Sequence, residues 1–232
     1  MKSKGILLDL DNTVYDYKLA HEPAIAGALQ WLALELEQRL EAVEAQYVDC
    51  RMRVNKSLHG LASSHSRLLY FQGIVEAFGR FPHLLAGAAE DLYWQIFFEN
   101  MQLRPGCLGF LQSVGLPIAI VTDLTARIQF EKIAHLKIAT HLQAIVTSEE
   151  SGHEKPHPRM FELAAQKLDL PLTSLCMIGD SFERDIEGAR QLGLDCYWLN
   201  TEGGDKETVR ARACDSVTIF DDFLQLLELV RE

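Results

Sequence analysis

Apolar runs of three to five residues recur six times along this chain, and most of them stop where a residue able to do chemistry begins. Ile6–Leu8 runs into Asp9 and, two residues later, Asp11. Pro117–Val121 ends in Thr122 and Asp123, and Leu175–Ile178 ends in Gly179 and Asp180. Ala144–Thr147 is followed by a Pro-marked loop carrying Lys155, while Cys196–Leu199 and the weaker Val217–Phe220 complete the set. Continuous apolar runs suit strands covered on both faces. Between them lie segments with helical spacing, such as Met160, Phe161, Ala164, Ala165 and Leu168, then Ile186, Ala189 and Leu192. This alternation predicts an α/β core of parallel strands joined by crossover helices.

The rhythm fails once. From about Ala20 to Leu103 nothing reads as a strand, and Leu29, Leu32, Leu36, Leu40, Val43 and Tyr47 step by three or four, predicting one long amphipathic helix. Further helices are expected near Leu68–Phe78 and Ala88–Met101. The chain therefore reads as a core of residues 1–15 and 104–232 with an all-helical insertion, 16–103. Its 232 residues, 48% of them hydrophobic, are enough for both. The formal charge of −11 argues against a nucleic-acid partner, which would need a broad basic face. Cys50, Cys107, Cys176, Cys196 and Cys214 are scattered without a C-x-x-C pair, as buried thiols in a reducing cytosol would be. Met1-Lys2-Ser3-Lys4 is basic, but the apolar run behind it is too short for a signal peptide, and no run approaches a membrane span. A soluble, cytoplasmic protein is expected.

Open parallel sheets bind ligands outside the carboxyl ends of their strands. Asp9 and Asp11 share one face there if the extended backbone continues that far. Two facing carboxylates repel unless one is protonated or a cation lies between them, and both outcomes serve catalysis. An Asp-Asn turn capping the next segment is the plainer reading of Asp-x-Asp alone. Thr122, Lys155 and Asp180 at neighbouring strand ends make a site the better one.

Asp9-Leu10-Asp11-Asn12-Thr13, Thr122, Lys155, and Gly179-Asp180 followed by Asp185 resemble the four motifs of the haloacid dehalogenase-like superfamily, in its phosphatase branch, and span nearly the whole chain. The resemblance implies a Rossmann-like parallel sheet of order 5-4-1-2-3 with a C1-type helical cap. It implies that Asp9 attacks phosphorus, and that Asp11 protonates the leaving oxygen and then activates water. Thr122 and Lys155 would hold the phosphoryl oxygens, with Thr13 and Asp123 also in the phosphate site. Mg²⁺ would be bound by Asp9, Asp180 and the backbone carbonyl of Asp11, with Asp185 orienting that shell. The expected function is Mg²⁺-dependent phosphomonoester hydrolysis of a small phosphorylated metabolite. A phosphomutase or other phosphotransferase using the same nucleophile is the alternative. A receiver-type signalling module is disfavoured by the large insertion and Asp180, and dehalogenation by the presence of Asp11. Asp123 stands where the family usually has Asn, bringing negative charge toward a dianion.

Three other features have plainer readings. His153 and His157 have zinc-pair spacing, but Pro156 and Pro158 argue against a regular helix there, so they read as loop residues. Tyr70, Phe71, Phe78, Tyr93, Trp94, Phe97 and Phe98 read as packing, whereas Tyr15, near the first motif, is a candidate to touch substrate. Between Cys50 and Val75 there is no Asp or Glu, while Arg51, Arg53, Lys56 and Arg67 are present. That stretch is either a solvated surface or a place for a substrate's second anionic group.

Overall fold

Each of the six apolar runs is a strand in the computed structural model, which describes residues 3–200 and 217–231. They are β1 (Gly5–Leu8), β2 (Ile118–Thr122), β3 (Ala144–Thr147), β4 (Leu175–Gly179), β5 (Asp195–Leu199) and β6 (Val217–Phe220). All pair in parallel in one sheet of order β3-β2-β1-β4-β5-β6. Read from the other edge this is the expected 5-4-1-2-3 order with β6 added beyond β5. Leu8 lies opposite both Ile120 and Ile178, and Thr122 opposite Thr147, so the carboxyl ends of β1, β2, β3 and β4 are aligned.

The sheet is buried on both sides because crossover helices cover it. Leu7, Ala119, Val121, Val146 and Met177 pack with Met160, Phe161 and Ala164 of α8 (Pro158–Leu168) and with Ile186 and Ala189, all fully buried. Ile6, Leu8 and Ile178, pointing the other way, are equally inaccessible. Each such side chain contributes about 1.5–3 kcal/mol of burial. The remaining core helices are α5 (Cys107–Ser113), α6 (Ala126–Leu136), α7 (Ser148–Ser151), α9 (Glu187–Gln191) and α10 (Phe223–Arg231). Cys50, Cys107, Cys176 and Cys196 are buried free thiols, and Cys214 lies outside the described residues.

By contact the chain divides into two units, one of the residues up to Asp16 with those from Gln102 onward, the other Tyr17–Met101. The second is all-helical: α1 (Tyr17–Glu35), α2 (Leu40–Ser57), α3 (Arg67–Ala77) and α4 (Leu85–Asn100). The single long helix expected through Leu29–Tyr47 is thus two helices. At the break, Gln38 N–H donates to Ala33 O (2.9 Å) and Glu37 N–H to Leu34 O (3.1 Å), with Glu37 left-handed at φ 55°. These paired bonds close a helix end and usually place glycine where Glu37 stands. Leu29, Leu32, Leu36 and Val43 are nonetheless buried, whereas Leu40, the first residue of α2, is exposed and Tyr47 half-buried, so the apolar stepping marks the inward face of α1 and only part of that of α2.

Tyr70, Phe71, Tyr93, Trp94 and Phe97 are packing residues of this unit, as expected. Among them sits Arg67, itself buried, donating to Tyr17 Oη and His65 O (both 2.5 Å) with the rings of Tyr17, Tyr93 and Trp94 at 5.5–6.0 Å. No helix of the described residues is long and apolar enough to cross a membrane.

Candidate active site

β1 ends at Leu8, one residue before the chemistry begins. Asp9 N–H still donates to Ile178 O (2.9 Å), but from Asp11 the chain turns, with Asn12 left-handed at φ 66° and Val14 N–H donating to Leu10 O (3.1 Å). Strand alternation therefore does not reach Asp11. A turn carries it instead, which allows the two carboxylates to take different partners.

Asp9 is buried. Its Oδ1 accepts from Lys155 Nζ (2.5 Å) and its Oδ2 from the Thr13 hydroxyl (2.7 Å). Burial, opposed by Lys155 and reinforced by the charges of Asp185 and Asp11, pushes Asp9 up to about 7. Lys155 also donates to Asp185 Oδ1 (2.7 Å). Burial works against its ammonium, but the carboxylates of Asp185, Asp9 and Asp123 hold the lysine well above its ordinary range.

Asp11 keeps a side chain 25% exposed, against 6% for Asp9, so it remains able to meet an incoming atom. Its Oδ1 accepts from Lys132 Nζ (2.5 Å) and from the Tyr15 hydroxyl, and its Oδ2 from Gln129 Nε2 (2.7 Å). Burial alone would raise Asp11, but Lys132 and the hydrogen bonds from Lys132, Tyr15 and Gln129 more than reverse it, leaving its carboxyl below the usual value.

At the end of β4, Asp180 Oδ2 accepts from Asn12 Nδ2 (2.6 Å), and its Oδ1 lies 3.2 Å from the Thr13 hydroxyl. Burial and then the charge of Asp9 push Asp180 up to about 6. One π-helical turn, Phe182–Ile186, follows, and it swings Asp185 back toward the strand, where its Oδ2 accepts from Ser181 N–H (3.0 Å). Burial also raises Asp185, against the pull of Lys155. Asp9, Asp180 and Asp185 bring carboxylate oxygens within 4.8 Å of one another.

Thr122 ends β2 and Asp123 follows it. The Thr122 hydroxyl accepts from Gln129 Nε2 (2.7 Å). Asp123 is bound up elsewhere: its Oδ1 accepts from the Lys155 backbone N–H (2.9 Å) and its Oδ2 lies 3.4 Å from Arg184 Nη1. The acid in place of the usual Asn thus fastens the lysine loop, and Arg184 offsets its charge. His153 and His157 lie in that loop with their rings stacked at 3.7 Å, and His157 caps α8 by accepting from Arg159 N–H.

The expected residues Asp9, Asp11, Thr13, Thr122, Asp123, Lys155, Asp180 and Asp185 are therefore brought together by direct or shared partners. Lys132, Gln129, Asn12 and Arg184 join them without having been singled out. Five carboxylates meet three cations here, Lys132, Lys155 and Arg184, and the three clustered acids have only Lys155 in direct contact among these cations. A hard divalent cation with oxygen ligands fits that set.

The model of the haloacid dehalogenase-like hydrolase family matches residues 3–193. The chain is 34% identical to a ribulose-1,5-bisphosphate 5-phosphatase of Halopiger xanaduensis, covering 96% of this chain and 98% of that one. It is 28% identical to a glyceraldehyde 3-phosphate phosphatase of Methanopyrus kandleri, covering 99% and 97%. Among solved structures, a HAD phosphatase from Thermococcus onnurineus superposes with a TM-score of 0.73 at 16% identity, covering 98% of this chain and 97% of that one.

Proposed function

The chain belongs to the haloacid dehalogenase-like hydrolases, and we propose that it is a Mg²⁺-dependent phosphomonoesterase acting on a small phosphorylated metabolite through a phosphoaspartyl enzyme on Asp9. The observation that carries this reading is the division of the Asp9/Asp11 pair. Asp9 faces the carboxylate cluster of Asp180 and Asp185 and accepts from Lys155, while Asp11, a quarter exposed, takes Lys132, Gln129 and Tyr15 as partners of its own. Separate partners leave one acid beside the cation site as nucleophile and the other, more exposed one to exchange protons with the leaving oxygen and with water.

In the first half-reaction an oxygen of Asp9 attacks phosphorus, the bond to the leaving oxygen breaks, and Asp11 gives that oxygen its proton. The carboxyl form this needs is favoured when a phosphoryl group brings negative charge beside Asp11. In the second half Asp11, now ionised, takes a proton from water as the water oxygen attacks phosphorus, and the bond to Asp9 breaks to release phosphate. Thr122 and Lys155 steady the phosphoryl oxygens, and Asp123 sets Lys155 by holding its backbone. Mg²⁺ held by Asp9, Asp180 and the Asp11 carbonyl would offset charge on the transferring group. Asp185, tied to Lys155 and Ser181, orients that set.

The two relatives described above are named for a sugar bisphosphate and a triose phosphate, which makes that class the first to try. The test is a screen of phosphorylated metabolites with Mg²⁺, reading inorganic phosphate. Release is expected from at least one, abolished by chelator and lowered roughly 10⁴-fold or more in Asp9→Asn. Turnover without phosphate release would point to phosphotransfer, and turnover by folded Asp9→Asn would refute the covalent route.

A further inference from the structure

α6 carries an amphipathic stripe, Gln129, Lys132, Ile133 and Leu136, in which the first two inward places hold polar residues. Both are completely inaccessible, whereas Arg127 and Phe130 of the same helix face solvent. Three residues apart on one helical face, they reach the same target. Lys132 Nζ meets Asp11 Oδ1 at 2.5 Å, and Gln129 Nε2 meets Asp11 Oδ2 at 2.7 Å. The same amide nitrogen reaches Thr122 Oγ1 (2.7 Å) and Asp123 O (2.5 Å). Gln129 Oε1 is buried with no hydrogen-bond partner. Turning the amide over would aim that oxygen at the Asp11 carboxylate and the Asp123 carbonyl, so the orientation that leaves it unsatisfied is the one the site imposes.

A buried ammonium is costly unless a counter-charge meets it, and a helix built only to cover a sheet would carry apolar residues at these places. We infer that Lys132 and Gln129 are positioning residues for Asp11: from the helix after β2 they fix both of its carboxylate oxygens, and Gln129 links that geometry to Thr122. This rests on the phosphatase reading above and deepens it. Lys132 keeps Asp11 out of the carboxylate cluster of Asp9, Asp180 and Asp185. Tyr15, donating to the same Oδ1 with its ring 5.9 Å from Lys132 Nζ, closes the third side. The consequence is directional, because an Asp11 left free to swing loses alignment with water and with the leaving oxygen alike. A substrate with a good leaving group suffers mainly in the second half-reaction.

The test compares full-length wild type, Lys132→Met, Asp11→Asn and the double variant at saturating Mg²⁺, with p-nitrophenyl phosphate and phenyl phosphate. Steady-state rates are read together with the acid-quenched phosphoenzyme fraction. Lys132→Met is expected to lower kcat roughly 10- to 100-fold, to raise the phosphoenzyme fraction with p-nitrophenyl phosphate, and to cost more with phenyl phosphate. In the Asp11→Asn background, where no carboxylate remains to position, the same change should cost no more than about twofold. The double variant carries no unpaired charge, so its melting curve shows whether the pocket still folds without Lys132. A Lys132→Met loss that multiplies fully with that of Asp11→Asn, or an unchanged phosphoenzyme fraction, would overturn the inference. Wild type lacking both phosphate release and phosphoenzyme would instead defeat the phosphatase reading, and the inference with it.

Discussion

Asp9 and Asp180 hold their protons in the folded protein up to about 7 and about 6, against 3.8 for an ordinary aspartate. Between those values the folded state binds more protons than the unfolded one, so the stability of the metal-free protein falls as pH rises through that window. A divalent ion bound to the ionised cluster reverses the loss, and its effect should therefore depend on pH. Mg²⁺ is expected to raise Tm by several degrees at about pH 8 and hardly at all at about pH 4.5, checked by calorimetry with and without the ion. Equal stabilisation at both pH values would remove the cluster as its site. Asp9 and Asp180 were legible because each follows an apolar run, where a strand's carboxyl end becomes a ligand edge, whereas Asp185, on the turn beyond, was legible only through the motif resemblance. Lys132 and Gln129 were not. A polar residue on an amphipathic helix ordinarily marks the solvent face, and only the buried stripe through Ile133 and Leu136 shows that these two point inward.

Among the elements, strands were the most legible, since a run buried on both faces leaves no polar residue to blur its limits. The break between α1 and α2 was hidden because Glu37 occupies the left-handed position with neither glycine nor proline to mark it. Glu37→Gly should relieve that conformation and stabilise the helical unit by about 1 kcal/mol, measured by denaturant unfolding. An unchanged midpoint would mean that the turn is held at no cost. Gly179 behaves in the opposite way. A Cβ there would sit 2.4 Å from Asp185 Oδ2, so the strand end and the π-helical turn fit only without a side chain. Gly179→Ala is expected to drive Asp185 off Lys155 and Ser181, costing about 2 kcal/mol of stability and at least roughly tenfold in kcat. Asp185→Asn separates the two effects, as it removes the charge without forcing the backbone apart. Full activity in Gly179→Ala would show that the Asp185–Lys155 contact is dispensable.

Over the whole molecule, charge acts on the two reactants in opposite senses. A formal −11 on 232 residues gathers cations and repels phosphorylated metabolites, and the clustered acids of the site, once ionised, add to both effects. Basic residues are unevenly placed, with Arg51, Arg53, Lys56 and Arg67 in a stretch free of Asp and Glu. Raising monovalent salt from about 20 to about 300 mM shortens the screening length from about 20 Å to about 6 Å, and so weakens each long-range effect. When Mg²⁺ is limiting, capture of the ion controls the rate, and the same salt series should inhibit. When Mg²⁺ is saturating, the bound ion cancels the local charges and only repulsion between the whole protein and its substrate is left to screen. There kcat/KM should rise with salt or stay level. Initial rates on a grid of Mg²⁺ and KCl concentrations check this crossing. Inhibition of kcat/KM by salt at saturating Mg²⁺ would instead mean that attraction by the acid-free basic stretch outweighs the net charge in bringing substrate in.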